Sequence, residues 1–288
     1  MQTLLLTLIA RLGLPALAPL ALASPHQSQA LEQASPEARA AWQRLCAVSA
    51  SPAREPITAF HLKADIRTRS GVQTNDTRID YRYLAPDCIR FMLPSRNETG
   101  RFGPAQEQYW LKAGKEVVTL AGREYEQDRR QVDDMLALSR NYVALSNPSR
   151  MNLQALEFLA SAPLDLGEEL TKSARKLTWL ALESPDFALV RRDGAVPKDS
   201  VYRVELGLRE NGLPGIAVIR AKTRGGGDPL LVEFGDYQEK SGFQIPVSLK
   251  VHVLEGRTPN AFSPHPSQEV YVTEANLRPE LRVEDFKP

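Results

Sequence analysis

The chain is short of the residues that most often carry chemistry. It holds two cysteines, Cys46 and Cys88, and four histidines in 288 residues. Two cysteines exclude a disulfide framework and a four-cysteine zinc site. His26, His61, His252 and His265 have no metal-ligand spacing with one another or with the cysteines. No G-x-S-x-G elbow, H-E-x-x-H helix or phosphate loop occurs. Gly225-Gly226-Gly227 comes nearest to a phosphate cradle, but Asp228-Pro229 and an apolar run follow it, which reads as a hairpin turn. His61 and His252 fall on the polar sides of alternating segments and read as solvated. Asp133-Asp134 and Glu168-Glu169 read as exposed helix surface. The sequence therefore presents no catalytic residue, no metal ligand set and no cofactor motif, and it reads as a non-enzyme.

An excess of charge is lacking too. Lys and Arg number 36 against 35 Asp and Glu, a formal net charge of +1. That excludes the basic footprint of a nucleic-acid binder and a basic tail for an anionic membrane. Long apolar runs are absent after residue 23, so no segment of the mature chain is expected to span a bilayer. The one such run, Met1 to Ala23, ends in Ala21-Leu22-Ala23, the small-x-small pattern of a signal cleavage site. Residues 1–23 are thus expected to be a signal peptide and the product to be exported, to the periplasm or cell envelope. The run departs from the usual form in having no early Lys or Arg and in carrying Arg11. An uncleaved anchor is the alternative reading, against which stand the shortness of the run and its breakage by Pro15 and Pro19. No cysteine follows the cleavage site to take a lipid. In the oxidising compartment that export implies, Cys46 and Cys88 can pair, or Cys88 can be a buried thiol at the start of a strand. Both readings are open.

What the chain does contain is alternation. Residues 24–34 are small and polar and are expected to form a disordered leader before one domain over 35–288. Ser35 as N-cap and Pro36 at the first helical position predict a helix to about Val48 that buries Ala41, Trp42 and Leu45. From Ile57 the period changes to two. Phe60, Leu62, Ala64 and Ile66 share one face, and a turn is expected at Thr74-Asn75-Asp76. Ile79, Tyr81 and Tyr83, then Ile89, Phe91 and Leu93, extend the same meander. Short strands are predicted over 106–112 and 115–120, a helix over 128–145, a second short helix carrying Leu153, Leu156 and Leu159, a helical turn over 164–172, and a strand-like stretch over 176–191. Long strands then return: Val201 to Leu208, the Asn211-Gly212 turn, Ile216 to Thr223, Leu230 to Tyr237, Val247 to Val253, and 269–274. The fold class is mainly β (α+β), an antiparallel sheet interrupted midway by helices that must cover one of its faces. Periodicity alone leaves two fillings open: a closed core of helix on sheet, or a half-closed sheet with an apolar cavity under a helical lid.

The order of short motifs carries a resemblance. Ile57-Thr58-Ala59-Phe60-His61-Leu62-Lys63-Ala64 follows the first helix. Then come Tyr83-Leu84-Ala85-Pro86-Asp87-Cys88-Ile89-Arg90-Phe91 and Tyr109-Trp110-Leu111-Lys112-Ala113-Gly114-Lys115. After the helices come Val201 to Leu208, Asn211-Gly212-Leu213-Pro214, Val232-Glu233-Phe234-Gly235-Asp236-Tyr237, Gly242-Phe243-Gln244-Ile245-Pro246 and Val283-Glu284-Asp285-Phe286. Over roughly residues 38–288 the chain resembles the outer-membrane lipoprotein carrier superfamily. The resemblance implies an unclosed half-barrel of about eleven antiparallel strands, with helices on its concave face and an apolar cavity for acyl chains. In the lipoprotein carrier an arginine before the strand-opening proline latches the helical lid. Here Ala85 stands before Pro86. With no side-chain donor at that position, the helices between 128 and 160 are expected to be held mainly by apolar contacts.

Together these readings give an apolar-ligand carrier, or alternatively a structural or sensory envelope protein whose barrel is filled by its own side chains. The expected partner is a lipid or lipoprotein acyl chain bound by a monomer. The candidate lining is Phe60, Leu62, Ile66, Tyr81, Tyr83 and Phe91 from the first strands, Met135 and Leu136 from the helix, and Val204, Leu206, Val247, Leu249 and Val251 from the later strands.

Overall fold

The computed structural model describes residues 25–49, 55, 57–70, 73–86, 88–96, 102–112, 115–120, 126–189, 200–222, 228–254 and 261–286. The expected signal peptide and the Gly225-Gly226-Gly227 turn lie outside the described residues.

Two helices lead the chain. α1 (Pro25–Gln33) forms where a disordered leader was expected. Ala30 and Ala34 explain the difference, since both are buried against the core, and side chains this small let the helix approach closely. α2 (Pro36–Ser49) begins as predicted, with the Ala38 N–H donating to Ser35 Oγ at 3.2 Å. It buries Ala38, Ala41, Trp42 and Leu45.

The strands follow: β1 (Ala59–Ser70), β2 (Gln73–Leu84), β3 (Cys88–Arg96), β4 (Phe102–Lys112) and β5 (Lys115–Leu120). After α3 (Glu126–Ser146) come β6 (Ala155–Leu159), α4 (Gly167–Ala174), β7 (Thr178–Ser184), β8 (Tyr202–Leu208), β9 (Pro214–Ala221) and β10 (Leu230–Phe234). The chain then forms β11 (Tyr237–Lys240), β12 (Phe243–Pro246), β13 (Ser248–His252) and β14 (Gln268–Asn276). Twelve strands make one antiparallel sheet in the order β5-β4-β3-β2-β1-β14-β13-β10-β9-β8-β7-β6, and β11 and β12 pair separately. β5 and β6 are its two edges, so the sheet is an unclosed half-barrel. The last strand joins its halves, with Leu62 opposite Ala275 and Leu249 opposite Val270.

Three local expectations are corrected. The turn placed at 74–76 lies within β2, because β1 and β2 stay paired out to Ser70 opposite Gln73. The helix expected around Leu153, Leu156 and Leu159 is edge strand β6. Leu156 is buried on the inner side of the sheet and Leu159 packs against an outer cluster, so leucines three apart serve two faces of a strand. The single strand expected from Leu230 to Tyr237 breaks after Phe234, and β11 turns back into β12 through Ser241 and Gly242, both at positive φ. Gly212, at φ 84°, makes the predicted hairpin turn between β8 and β9.

The concave face is covered in two parts. α1 and α2 pack on β6–β9, where Trp42 and Leu45 meet Leu180, Leu182, Val204 and Leu206. α3 packs on β1–β3, where Leu136 meets Phe60, Tyr81, Tyr83, Ile89 and Phe91. Phe60 stacks on Tyr83 at 5.1 Å between centroids and takes the Tyr142 edge at 5.3 Å.

Apolar contact is only part of what holds α3. The Asn147 side chain accepts from the Ile57 N–H at 3.1 Å and donates to its carbonyl at 3.2 Å. Asn141 does the same for Ala188, at 2.8 and 3.0 Å. Each amide copies the pairing of a neighbouring strand, so the C-terminal half of α3 is pinned by buried polar bonds as well. Replacing Asn147 with Ala strands both backbone groups of Ile57, each worth about 1–3 kcal/mol when unpaired and buried. The expected result is a loss of about 2–4 kcal/mol in urea unfolding, and a loss under 0.5 kcal/mol would contradict it.

The convex face is bare over β1, β2 and β14 and covered over β7, β9 and β10. On the bare part, ion pairs such as Lys63–Glu274 and Arg78–Asp65 lie exposed. On the covered part, α4 and the segment around Phe262 enclose Leu166, Leu170, Trp179, Ile216, Val218 and Leu231. His252 sits beside this second core and corrects its reading as solvated: its side chain is fully buried. Its Nδ1 lies 2.8 Å from the Ser263 carbonyl and its Nε2 2.7 Å from Glu233 Oε1. The ring thus sits between two acceptor oxygens. The His252 hydrogen bond, helped by the charges of His252 and Lys250, holds the Glu233 carboxyl below the usual carboxylate range against the opposing effect of burial.

A depressed folded pKa contributes stability above the unfolded carboxylate value, about 4.3, and that contribution is lost as pH falls through the folded value. As pH falls below about 4, wild-type protein should therefore lose more unfolding free energy than Glu233→Gln. Parallel pH curves would contradict this.

Candidate ligand-binding cavity

Between the two covered halves the concave face is left partly open. α3 crosses above β1, β2, β14, β13, β10 and β9, and under it lies a cavity of about 130 Å³. Its floor is built by alternation: Phe60, Leu62 and Ile66 from β1, Val270 and Val272 from β14, Leu249 and Val251 from β13, Val232 and Phe234 from β10, and Ile219 from β9. Its roof is one stripe of α3, with Met135, Leu138, Tyr142 and Leu145 at helical spacing. Among the described residues no Asp, Glu, Lys or Arg lines it.

Three of the polar side chains in its wall, Asn141, Ser139 and Tyr81, are committed elsewhere. Asn141 is occupied by Ala188. Ser139 Oγ donates to the Met135 carbonyl at 2.7 Å and meets the Tyr81 hydroxyl. Burial pushes the Tyr81 hydroxyl far up from its ordinary pKa, with the Ser139 contact a smaller opposing effect. Tyr81 is thus a neutral hydrogen-bonding strut between β2 and α3.

Seven of the candidate lining residues meet in this cavity: Phe60, Leu62, Ile66, Tyr81, Met135, Leu249 and Val251. The other six do not line it. Phe91, Leu136, Val204 and Leu206 point to the same side of the sheet but are packed into the core beneath the helices. Tyr83 stacks on Phe60 and donates to the Pro86 carbonyl at 3.2 Å. Val247 lies at the bend before β13, its N–H bonded to Asp236 O and its carbonyl to Val272 N. The sequence reading missed Val270, Val272, Val232, Leu138, Tyr142 and Leu145. The alternation of Val270 and Val272 marks a strand, but only its position between β1 and β13 brings them to the cavity.

The two cysteines are thiols and form no disulfide. Cys46 lies on α2 and Cys88 on β3, and burial pushes the Cys46 thiol up to about 12. The residue at the latch position, Ala85, bonds through its backbone N–H to Thr58 O at 2.8 Å. Beside it Arg140 of α3 donates to the Pro86 carbonyl at 3.5 Å. Arg140 and Pro86 belong to a second, more open pocket of about 390 Å³ at the flank of α3, also lined by Arg150 and Asp186. Among the described residues no cluster of His, Cys, Asp and Glu is arranged to hold a metal. Also among the described residues, no helix is long and apolar enough to cross a membrane.

No family model matches the chain, and no curated protein matches it. Among solved structures it is similar to a LolA superfamily protein from Nitrosomonas europaea, with 13% identity, a TM-score of 0.42, and 87% of this chain and 97% of that one covered. It is similar to a domain assigned to outer membrane lipoprotein sorting from Vibrio parahaemolyticus, with 9% identity, a TM-score of 0.42, and 90% and 96% covered. A DUF1329 family protein from Desulfovibrio piger follows at 10% identity and a TM-score of 0.41, with 88% and 98% covered. The likeness is one of fold.

Proposed function

We propose that this protein is a non-catalytic binding protein of the cell envelope that takes an apolar chain, such as an acyl chain, into the cavity beneath α3. The observation that carries the reading is the cavity itself. An apolar hole of ~150 Å³ is already large enough to take up benzene. This one is similar in size and is walled mainly by aliphatic and aromatic side chains, with no charged one among the described residues. Each methylene transferred from water contributes about 0.8 kcal/mol, so a chain of a few carbons gains useful affinity without any ionic contact. The motif resemblance points the same way.

The test is to titrate the delipidated protein with a fluorescent fatty acid at low and high salt. The reading expects saturable uptake, a raised melting temperature, and a dissociation constant that changes less than about twofold between 50 mM and 500 mM salt, since none of the described residues in the wall is charged. Absence of saturable uptake, with no shift in melting temperature, would favour the self-filled barrel instead.

A further inference from the structure

The cavity has a polar end. A small chamber of about 20 Å³ adjoins it, and Tyr142, Leu145 and Phe234 line both spaces. The chamber is closed below by β12 through Gln244 and Pro246, and by Tyr237. Its wall also holds Ser49 of α2 and Ser146 of α3, both buried. Tyr237 is satisfied, donating to the Pro214 carbonyl at 3.0 Å. Arg209 stacks on the Tyr237 ring and is committed to the carbonyls of Phe234 and Gly235. Tyr142 is different. Its ring is held edge-on by Phe60, burial alone pushes its hydroxyl up from the ordinary pKa, and no hydrogen bond joins it to another described residue. The side chains of Ser49, Ser146 and Gln244 likewise make none among the described residues. Tyr142 is half-buried, and a tyrosine hydroxyl that meets no acceptor among the described residues, where two cavities join, is free to donate to an acceptor on a ligand.

We infer that the ligand is an apolar chain carrying an uncharged hydrogen-bond acceptor, an ester, alcohol or carbonyl group, and that the Tyr142 hydroxyl donates to it where the cavity meets this chamber. The inference rests on the binding function proposed above. The acceptor is uncharged because, among the described residues, no Lys or Arg lines either space, and an anion taken out of water with no cation beside it would be strongly disfavoured. The chamber is large enough for one small polar group and no more, since a single water needs roughly 10–15 Å³. A charged headgroup would therefore stay at the open side of the cavity.

The experiment compares wild type with Tyr142→Phe for three ligands of one chain length: dodecane, dodecanol and methyl dodecanoate, each displacing a fluorescent fatty acid. Comparing the two proteins on the same ligand cancels the hydration of the ligand's head. The inference expects Tyr142→Phe to weaken dodecanol and methyl dodecanoate by about three- to tenfold, the effect of one neutral hydrogen bond, and to leave dodecane unchanged. Equal changes for all three ligands, or none, would overturn the inference while leaving the binding function standing. If wild type binds none of the three and no fluorescent probe, both fall together.

Discussion

Leu62→Asp should abolish uptake of a fluorescent fatty acid by a protein that still folds, whereas Phe91→Asp should give a chain that does not fold. Both residues alternate onto the concave face, and the sequence treats them alike. Leu62 is half-buried and faces the cavity, so a carboxylate there can be hydrated in the unliganded protein. An acyl chain entering the cavity would displace that hydration with nothing to replace it, which removes binding altogether. Phe91 is fully buried, against Tyr81 at 6.4 Å between centroids and within the core that meets Leu136. Losing its ring costs about 3–5 kcal/mol, and burying an unpaired charge in its place adds several more. That sum approaches or exceeds the 5–15 kcal/mol that holds a typical domain folded. Circular dichroism separates the two outcomes before any ligand is added. If Leu62→Asp binds as wild type does, the cavity is not the site; if Phe91→Asp folds normally, the concave face is looser than this packing implies.

The second large effect lies on the opposite face. Phe262 is buried among Leu166, Leu170, Trp179, Ile216, Val218 and Leu231, with the Arg220 guanidinium 5.7 Å from its ring. Its N–H donates to Asp165 O at 3.0 Å, and Arg220 binds the Asp165 carboxylate at 2.7 Å, so the segment around Phe262 and the turn leading into α4 are tied to each other and to the sheet, with the Phe262 ring packed between them. Phe262→Ala should cost about 3–5 kcal/mol in urea unfolding, because both covering pieces lose their shared anchor. Ligand affinity should change less than twofold, because the sheet separates Phe262 from the cavity. A cost below 1 kcal/mol would show the convex cover to be loosely attached, and a large loss of affinity would show the two faces to be coupled.

These contrasts mark where sequence reasoning succeeds and where it stops. The sheet is legible because period-two alternation survives in β1–β3, β8 and β13, and the Asn-Gly turn fixes the β8–β9 hairpin. The floor of the cavity on the first strand, Phe60, Leu62 and Ile66, is legible for the same reason. What alternation cannot say is which part of an apolar face a helix will cover. Val204 and Leu206 look like Leu249 and Val251 in sequence, yet α1 and α2 bury the first pair and leave the second facing the cavity. Nor can it place β14, the last strand in the chain, at the centre of the sheet. The burial of His252 did leave a trace. Ile216-Ala217-Val218-Ile219 is apolar on both sides of its strand, and a strand buried on both faces needs a cover on each. That run implied a second layer over the convex face, and hence a dry neighbourhood for a histidine pointing the same way. The helical pattern of Leu153, Leu156 and Leu159 misled because an edge strand can place leucines three apart on opposite faces, Leu156 against the inner cluster and Leu159 against the outer one.

The central claim is that an apolar chain lies between α3 and the strands β1, β14, β13 and β10. The most direct test is to record nuclear Overhauser contacts between a bound dodecyl chain and the methyl groups of methyl-labelled protein. The account predicts contacts to Leu62, Val232, Leu249 and Val270, and none to Val218 or Leu170 on the convex face. Contacts confined to the convex face, or a saturated complex without contacts to those four cavity residues, would contradict it.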